Sequence, residues 1–181
     1  MKATLVNGVD VEELGRKVKA LQADPELAAC RFHVSNQWID CGHNRTRIES
    51  WYGLKQENPH DHPFELDCDE PAALLGTDQG ANPVEHLLNA LAGCLTSAMV
   101  YHAAVRGIQI ESVRSEIEGE IDLRGFVGLS DDVRKGYRNI RVTFHVVSDA
   151  PVEKLKECAS FSPVFDTVGH GTSINLKIQK A

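Results

Sequence analysis

The sequence contains no Cys-x-x-Cys pair, and its five cysteines (Cys30, Cys41, Cys68, Cys94 and Cys158) are odd in number and scattered. That usage argues against a disulfide framework or a zinc ribbon and fits free thiols in a reducing, cytoplasmic setting. Runs of Lys or Arg are also missing, and the formal net charge is −7. Neither nucleic acid nor an anionic membrane surface is therefore an expected partner. Between Met1 and Gly8 there is no apolar segment of the roughly 7–15 residues that a signal peptide requires. The longest uncharged apolar run, between His86 and His102, is about 15 residues, short of the ~20 that span a bilayer. His60-x-His62 has no third ligand at a workable spacing, and Gly76–Gly80 lacks the Lys of a phosphate loop, so no metal or cofactor is expected.

What the sequence does contain is one long helix written out with both its ends. Asn82 is a good N-cap, Pro83 suits the first turn, and Glu85 stands where its carboxylate can reach back to the free amides. Arg106 and Gly107 supply a cation and a left-handed cap at the other end. From Leu87 to Val100 only Asn89, Thr96 and Ser97 are polar. A helix apolar nearly all round is buried by other protein. The chain is too short to enclose a helix of about 36 Å on every side, so a second copy is expected to cover the rest, making a homodimer.

Around this helix, Val9–Ala23 reads as an amphipathic helix ended by Asp24-Pro25, forming an N-terminal extension over residues 1–29 ahead of a main domain over 30–181. Cys30–Tyr52 has strand chemistry, with Ile39, Cys41, His43, Arg45, Arg47 and Glu49 of one parity and so expected on one face. Such a face is either an exposed sheet surface or the floor of a polar pocket. Gly53–His62 reads as a loop and Phe64–Cys68 as a strand. Two further strands are expected within Ile108–Arg124 and Tyr137–Ser148. A helix over Ala150–Ala159 follows, then a short one capped by Ser162, and a last strand over Thr172–Ile178. The order gives an α+β class, with antiparallel sheet wrapped on the long central helix.

The run Gly80-Ala-Asn-Pro-Val-Glu-His-Leu-Leu-Asn-Ala-Leu-Ala-Gly-Cys94 resembles the helix signature of the OsmC/Ohr family. Ser162-Pro163-Val164-Phe165-Asp166-Thr167 stands where that family carries a Cys-Pro step, and Asn36–Arg47 resembles the arginine-bearing strand of one subgroup. The resemblance covers Cys30 to Ala181. It implies an OsmC-like fold, an intertwined homodimer with active sites at the subunit interface, and thiol peroxidase activity. In that chemistry a cysteine thiolate attacks an organic hydroperoxide, and the resulting sulfenic acid is resolved by a second cysteine and reduced by an external thiol or dithiol. Carried onto this sequence, Cys94 matches the peroxidatic position, Arg45 the activating arginine, and Glu85 or its neighbour the acid at the helix start. Two departures stand out. Ser162 replaces the resolving cysteine, and Val84 occupies the position of the family's glutamate, leaving Glu85 about 100° round the helix.

Physical chemistry sets its own condition. A cysteine sunk among Leu and Ala stays protonated and inert unless a cation reaches it, and Arg45 and Arg47 are the candidates. Cys158 or Cys41 could replace the missing resolver, although the spacing of Cys158 with Val152 and Leu155 is that of a core residue. The expected function is a peroxidase that uses Cys94 and an external thiol or dithiol, with no bound cofactor. The alternative is a non-catalytic protein that keeps the fold and holds a small apolar or thiol-reactive ligand. A metal-dependent hydrolase built on His43, His60 and His62 lacks supporting spacing.

Overall fold

The computed structural model describes residues 4–180. Their contacts divide into two compact units, one of Thr4 with residues 10–87, the other of residues 5–9 with 88–180.

In the first unit, helix α1 (Val11–Ala23) starts where the Asp10 carboxylate accepts the Glu13 N–H at 2.9 Å and stops at Asp24. A 3-10 turn, Pro25–Ala28, leads to strand β3 (Arg31–Phe32). Strands β4 (Ser35–Asp40) and β5 (His43–Gly53) form an antiparallel hairpin, and β6 (Gln56–Cys68) pairs along the other side of β5. Two expectations are corrected here. Cys30–Tyr52 is not one strand: Cys41, at φ 47°, and Gly42 turn the chain between β4 and β5. Cys41 therefore does not share the face of Arg45 by alternation. Gly53–His62 is not a loop either, because Leu54 and Lys55 make the turn and β6 begins at Gln56. Pro59 and Pro63 disguise this strand, yet β6 is an edge, where a missing N–H costs no ladder bond.

After β6 the chain is fastened by Asp69. Its carboxylate is 1% exposed and accepts from Glu70 N (2.8 Å), Thr77 N (3.0 Å), Thr77 Oγ1 (2.7 Å) and Gln79 N (3.1 Å). These bonds hold the carboxyl well below the usual range, at about 2, the Thr77 hydroxyl contributing most. Gly80 then passes so close to β6 that a Cβ there would lie 2.2 Å from the Asp67 carbonyl oxygen.

Helix α2 (Pro83–Val105) runs from the first unit into the second. The reciprocal cap is in place: Asn82 N donates to Glu85 Oε2 at 2.9 Å, and Glu85 N to Asn82 Oδ1 at 3.0 Å. The far end closes in a Schellman arrangement, with Ile108 N on Ala103 O (2.9 Å), Gly107 N on Ala104 O (3.0 Å) and Gly107 at φ 69°.

The second unit packs on one stripe of α2. Leu91, Leu95, Met99 and Ala103, spaced by four residues, are buried against Leu155, Cys158 and Ala159 of helix α4 (Val152–Ala159). The inner face of the ribbon β7 (Ser112–Glu120) and β8 (Asn139–Val147) joins this core through Val113, Ile140, Val142 and Phe144. Each buried Leu contributes about 1.5–3 kcal/mol. Short helices α3 (Leu123–Phe126) and α5 (Pro163–His170) complete the unit. A tiny ribbon, β1 (Leu5–Val6) with β2 (Val9–Asp10), is held to it by the Asn7 amide, which bonds Ile108 O and Ile110 N. The rest of α2 is not enclosed: Leu87 is 40% and Tyr101 52% exposed. Thr172–Ile178 is not a strand of this chain; no strand or helix occurs between residues 171 and 180. Its alternation is present, but among the described residues no neighbouring strand pairs with its backbone.

Candidate functional site

Alternation along β5 sends His43, Arg45, Arg47 and Glu49 to one face, and the register places Asp67 opposite Arg45 and Glu65 opposite Arg47. Arg45 donates from Nε to Asp67 Oδ1 at 3.0 Å and from Nη2 to Oδ2 at 3.2 Å. His43 Nε2 lies 2.8 Å from the same Oδ1. The Asp67 carboxyl is held below its ordinary range, first by His43 and then by Arg45, while Asp67 raises the already high basicity of Arg45. Arg47 pairs with Glu49 at 2.7 Å and Glu65 at 3.3 Å. Arg45, Arg47 and Glu65, together with Ser35, Asn36 and Gln37, line a cleft of about 580 Å³. The face is thus largely exposed sheet surface, with this polar cleft on it. Both guanidinium groups are half-exposed, so solvent screens these pairs and they serve to aim the cations more than to stabilise the fold.

The acid that holds Arg45 is Asp67, a residue sequence reasoning passed over as one polar position in an alternating strand. Only the β5–β6 register brings the two together. Glu85, assigned to the site from the resemblance, closes the N-terminal cap of α2 instead. His86 on the same turn lies 3.2 Å through Nε2 from the Asp67 carbonyl oxygen, tying the start of α2 to the end of β6. His60 packs edge-on against Phe64, with ring centroids 4.9 Å apart. Among the described residues no three His, Cys, Asp or Glu side chains gather as a metal cage.

In the second unit Cys94 is half-buried, between the buried Leu91 and Leu95 on α2. Cys158 is wholly buried, and burial pushes its thiol above the ordinary range. Ser162, 1% exposed, accepts the Phe165 N–H at 3.1 Å and caps α5. Near the end of α2, His102 stacks on Phe161 with centroids 4.0 Å apart, and Arg106 covers the same ring at 5.4 Å. A cleft of about 740 Å³ opens at Arg106, Gly107 and Lys154. Its Arg106 end is about 18 Å from Cys94 along the helix axis.

The family model described as OsmC-like protein matches residues 76–177, more than half of the chain and all of α2. The chain belongs to the OsmC family. A search of curated proteins finds no match. Solved structures of similar fold include an OsmC-like protein from Mycoplasma pneumoniae, 18% identical, with a TM-score of 0.56 over 77% of this chain and 87% of that one. Another is an OsmC-like protein of unknown function from Vibrio cholerae, 11% identical, with a TM-score of 0.54 over 76% and 92%. At these identities the likeness is one of fold, which is the α+β, antiparallel OsmC-like architecture expected from the sequence.

Within this OsmC-family chain, the candidate residues sort by environment. Cys94 is the thiol that α2 leaves partly accessible. Cys158 is a member of the apolar core, and Ser162 spends its hydroxyl on a helix cap. Cys41 is exposed in the β4–β5 turn, its sulfur 3.2 Å from the Leu75 carbonyl oxygen.

Proposed function

We propose that this protein is a thiol-dependent peroxidase of the one-cysteine kind, with Cys94 as its nucleophile and organic hydroperoxides as substrates. The observation that carries this reading is the contrast between the two α-helical thiols of the second unit. Cys94 is partly accessible on the helix that bears the family signature, whereas Cys158 is sealed at 0% exposure. The Cys94 thiolate attacks the outer oxygen of R–O–OH and the O–O bond breaks. The alkoxide departs and takes a proton to become the alcohol, leaving a sulfenic acid on Cys94. An external thiol attacks that sulfur, releasing water and forming a mixed disulfide; a second thiol, or the other arm of a dithiol, restores Cys94. No step uses a metal or a bound cofactor. Arg45 is the cation assigned to this reaction and Arg47 the second, brought to Cys94 from a second copy of the chain. A guanidinium fork stabilises thiolate and peroxide oxygen alike. Five scattered cysteines, odd in number and without a Cys-x-x-Cys pair, support a reducing, cytoplasmic setting.

The test is mass spectrometry of the protein after one equivalent of cumene hydroperoxide. One added oxygen on Cys94, trappable by dimedone, is expected, and a Cys94–Cys158 or Cys94–Cys41 disulfide is not. A disulfide as the main product overturns the one-cysteine mechanism; no change at Cys94 overturns the peroxidase reading. Ser162 in its capping role favours one other reading, a binding protein that retains the fold and holds a small apolar or thiol-reactive ligand without turnover.

A further inference from the structure

The larger cleft of the second unit lies where the end of α2, the approach to β7 and the turn from β8 into α4 come together. Its backbone is fastened at each of these places. The Asn7 amide ties Ile108 and Ile110, and Gly107 sits in the closed end of α2. The Ser148 hydroxyl donates to the Gln109 carbonyl oxygen at 2.6 Å and accepts from Ala150 N at 3.2 Å. At about 740 Å³ the cleft is in the size range of small-molecule sites. A concavity whose walls are already tied down loses little freedom when a ligand enters it.

Both signs of charge line it. Arg106 and Lys154 are held by one acid, Glu157, with Arg106 Nη2 at 3.5 Å and Lys154 Nζ at 3.0 Å. One carboxylate thus gathers two cations, and a positive charge is left over. Arg106 is aimed further by His102, donating to its ring Nδ1 at 3.1 Å and to its carbonyl oxygen at 3.0 Å. Glu111 and Asp149 also line the cleft, and among the described residues neither carboxylate has a hydrogen bond or ion pair. Ile108, Ala150 and Pro151 form the apolar part of the lining. Cations and free carboxylates that share a cleft without pairing suit a ligand that carries both charges and carries them apart. A short peptide does so, with an ammonium at one end and a carboxylate at the other. We propose that this cleft binds short zwitterionic peptides, their carboxylate held by Arg106 and Lys154 and their ammonium by Glu111 and Asp149. The site is about 18 Å from Cys94 along the helix axis and takes no part in the peroxidase chemistry, so the two are tested apart.

Titration of the full chain with triglycine, followed by amide NMR shifts at neutral pH and low salt, tests it. Saturable shifts are expected at Gly107, Gln109, Ser148 and Lys154. N-acetyltriglycine lacks the ammonium and triglycine amide lacks the carboxylate, so each should bind roughly tenfold more weakly or worse. Lys154→Gln and Glu111→Gln should each weaken triglycine binding by a similar factor, and Lys154→Arg should retain it. Both substituted side chains are exposed, so circular dichroism should show the same fold for every variant. Lack of a saturable shift up to about 20 mM triglycine overturns the proposal. So do capped peptides that bind as tightly as triglycine, or an unchanged dissociation constant in Lys154→Gln and Glu111→Gln.

Discussion

Replacing Cys158 by Ser exchanges a thiol for a hydroxyl at a side chain with 0% exposure, packed with Leu91, Leu95, Met99, Ala103 and Leu155. Sulfur behaves there as a small hydrophobe, whereas a hydroxyl demands a partner that this nest of hydrocarbon does not offer. An unsatisfied buried hydroxyl costs about 1–3 kcal/mol, and the shorter C–O bond forfeits some dispersion contact as well. Back-bonding to the carbonyl four residues earlier on α4 recovers part of this. The net expectation is a loss of about 2 kcal/mol, or roughly 4–8 °C in Tm for a chain of this size. Cys158→Ala removes the polar problem and should cost about half as much. Urea unfolding followed by circular dichroism gives the stability, and hydroperoxide consumption with excess dithiothreitol gives turnover per folded molecule. Stability should fall while turnover is unchanged. A serine variant as stable as the wild type, or one that is folded but loses tenfold or more in turnover, would refute the placing of Cys158 in the core and return it to the redox chemistry.

Ser162→Ala removes the hydroxyl that caps α5 and should cost about 1 kcal/mol with no change in turnover; a large loss of turnover would show that the residue touches the chemistry. Leu95→Ala, at a position 5% exposed, should cost about 3 kcal/mol by urea unfolding, and a cost below about 1 kcal/mol would mean that the α2 stripe is not packed as described. Asp69 has a folded-state pKa depressed from 3.8 to about 2, so its charge contributes stability that is fully present above 3.8 and is lost as pH falls towards 2. The stability gap between the wild type and Asp69→Asn should therefore be constant at neutral pH and shrink across that window. A gap that widens on acidification contradicts the assignment.

The helix α2 was legible because each of its ends is signalled by local chemistry. Asn82, Pro83 and Glu85 act within one turn, and Gly107 adopts the left-handed conformation its position requires. The strands β7 and β8 were legible from alternation, and the fold class from the order of elements. Three features were not, the first for want of a local turn signal and the other two because they depend on contacts distant in sequence. Cys41 and Gly42 form a tight turn at φ 47° without the Asn-Gly signal of a hairpin, so two strands read as one. Pro59 and Pro63 speak against a strand until it is known that β6 lies at an edge. Asp67 becomes the partner of Arg45 only through register, which no spacing within either strand reveals. The terminal alternation was visible, but a strand needs a neighbour, and among the described residues none pairs with it.

The central claim is that Cys94 performs the chemistry, and steady-state consumption of cumene hydroperoxide with dihydrolipoamide as reductant tests it most directly. Wild type and Cys158→Ala should consume peroxide at matching rates per folded molecule, and Cys94→Ser should fall to the rate of the reductant alone. If Cys94→Ser keeps pace with the wild type, the catalytic account is contradicted.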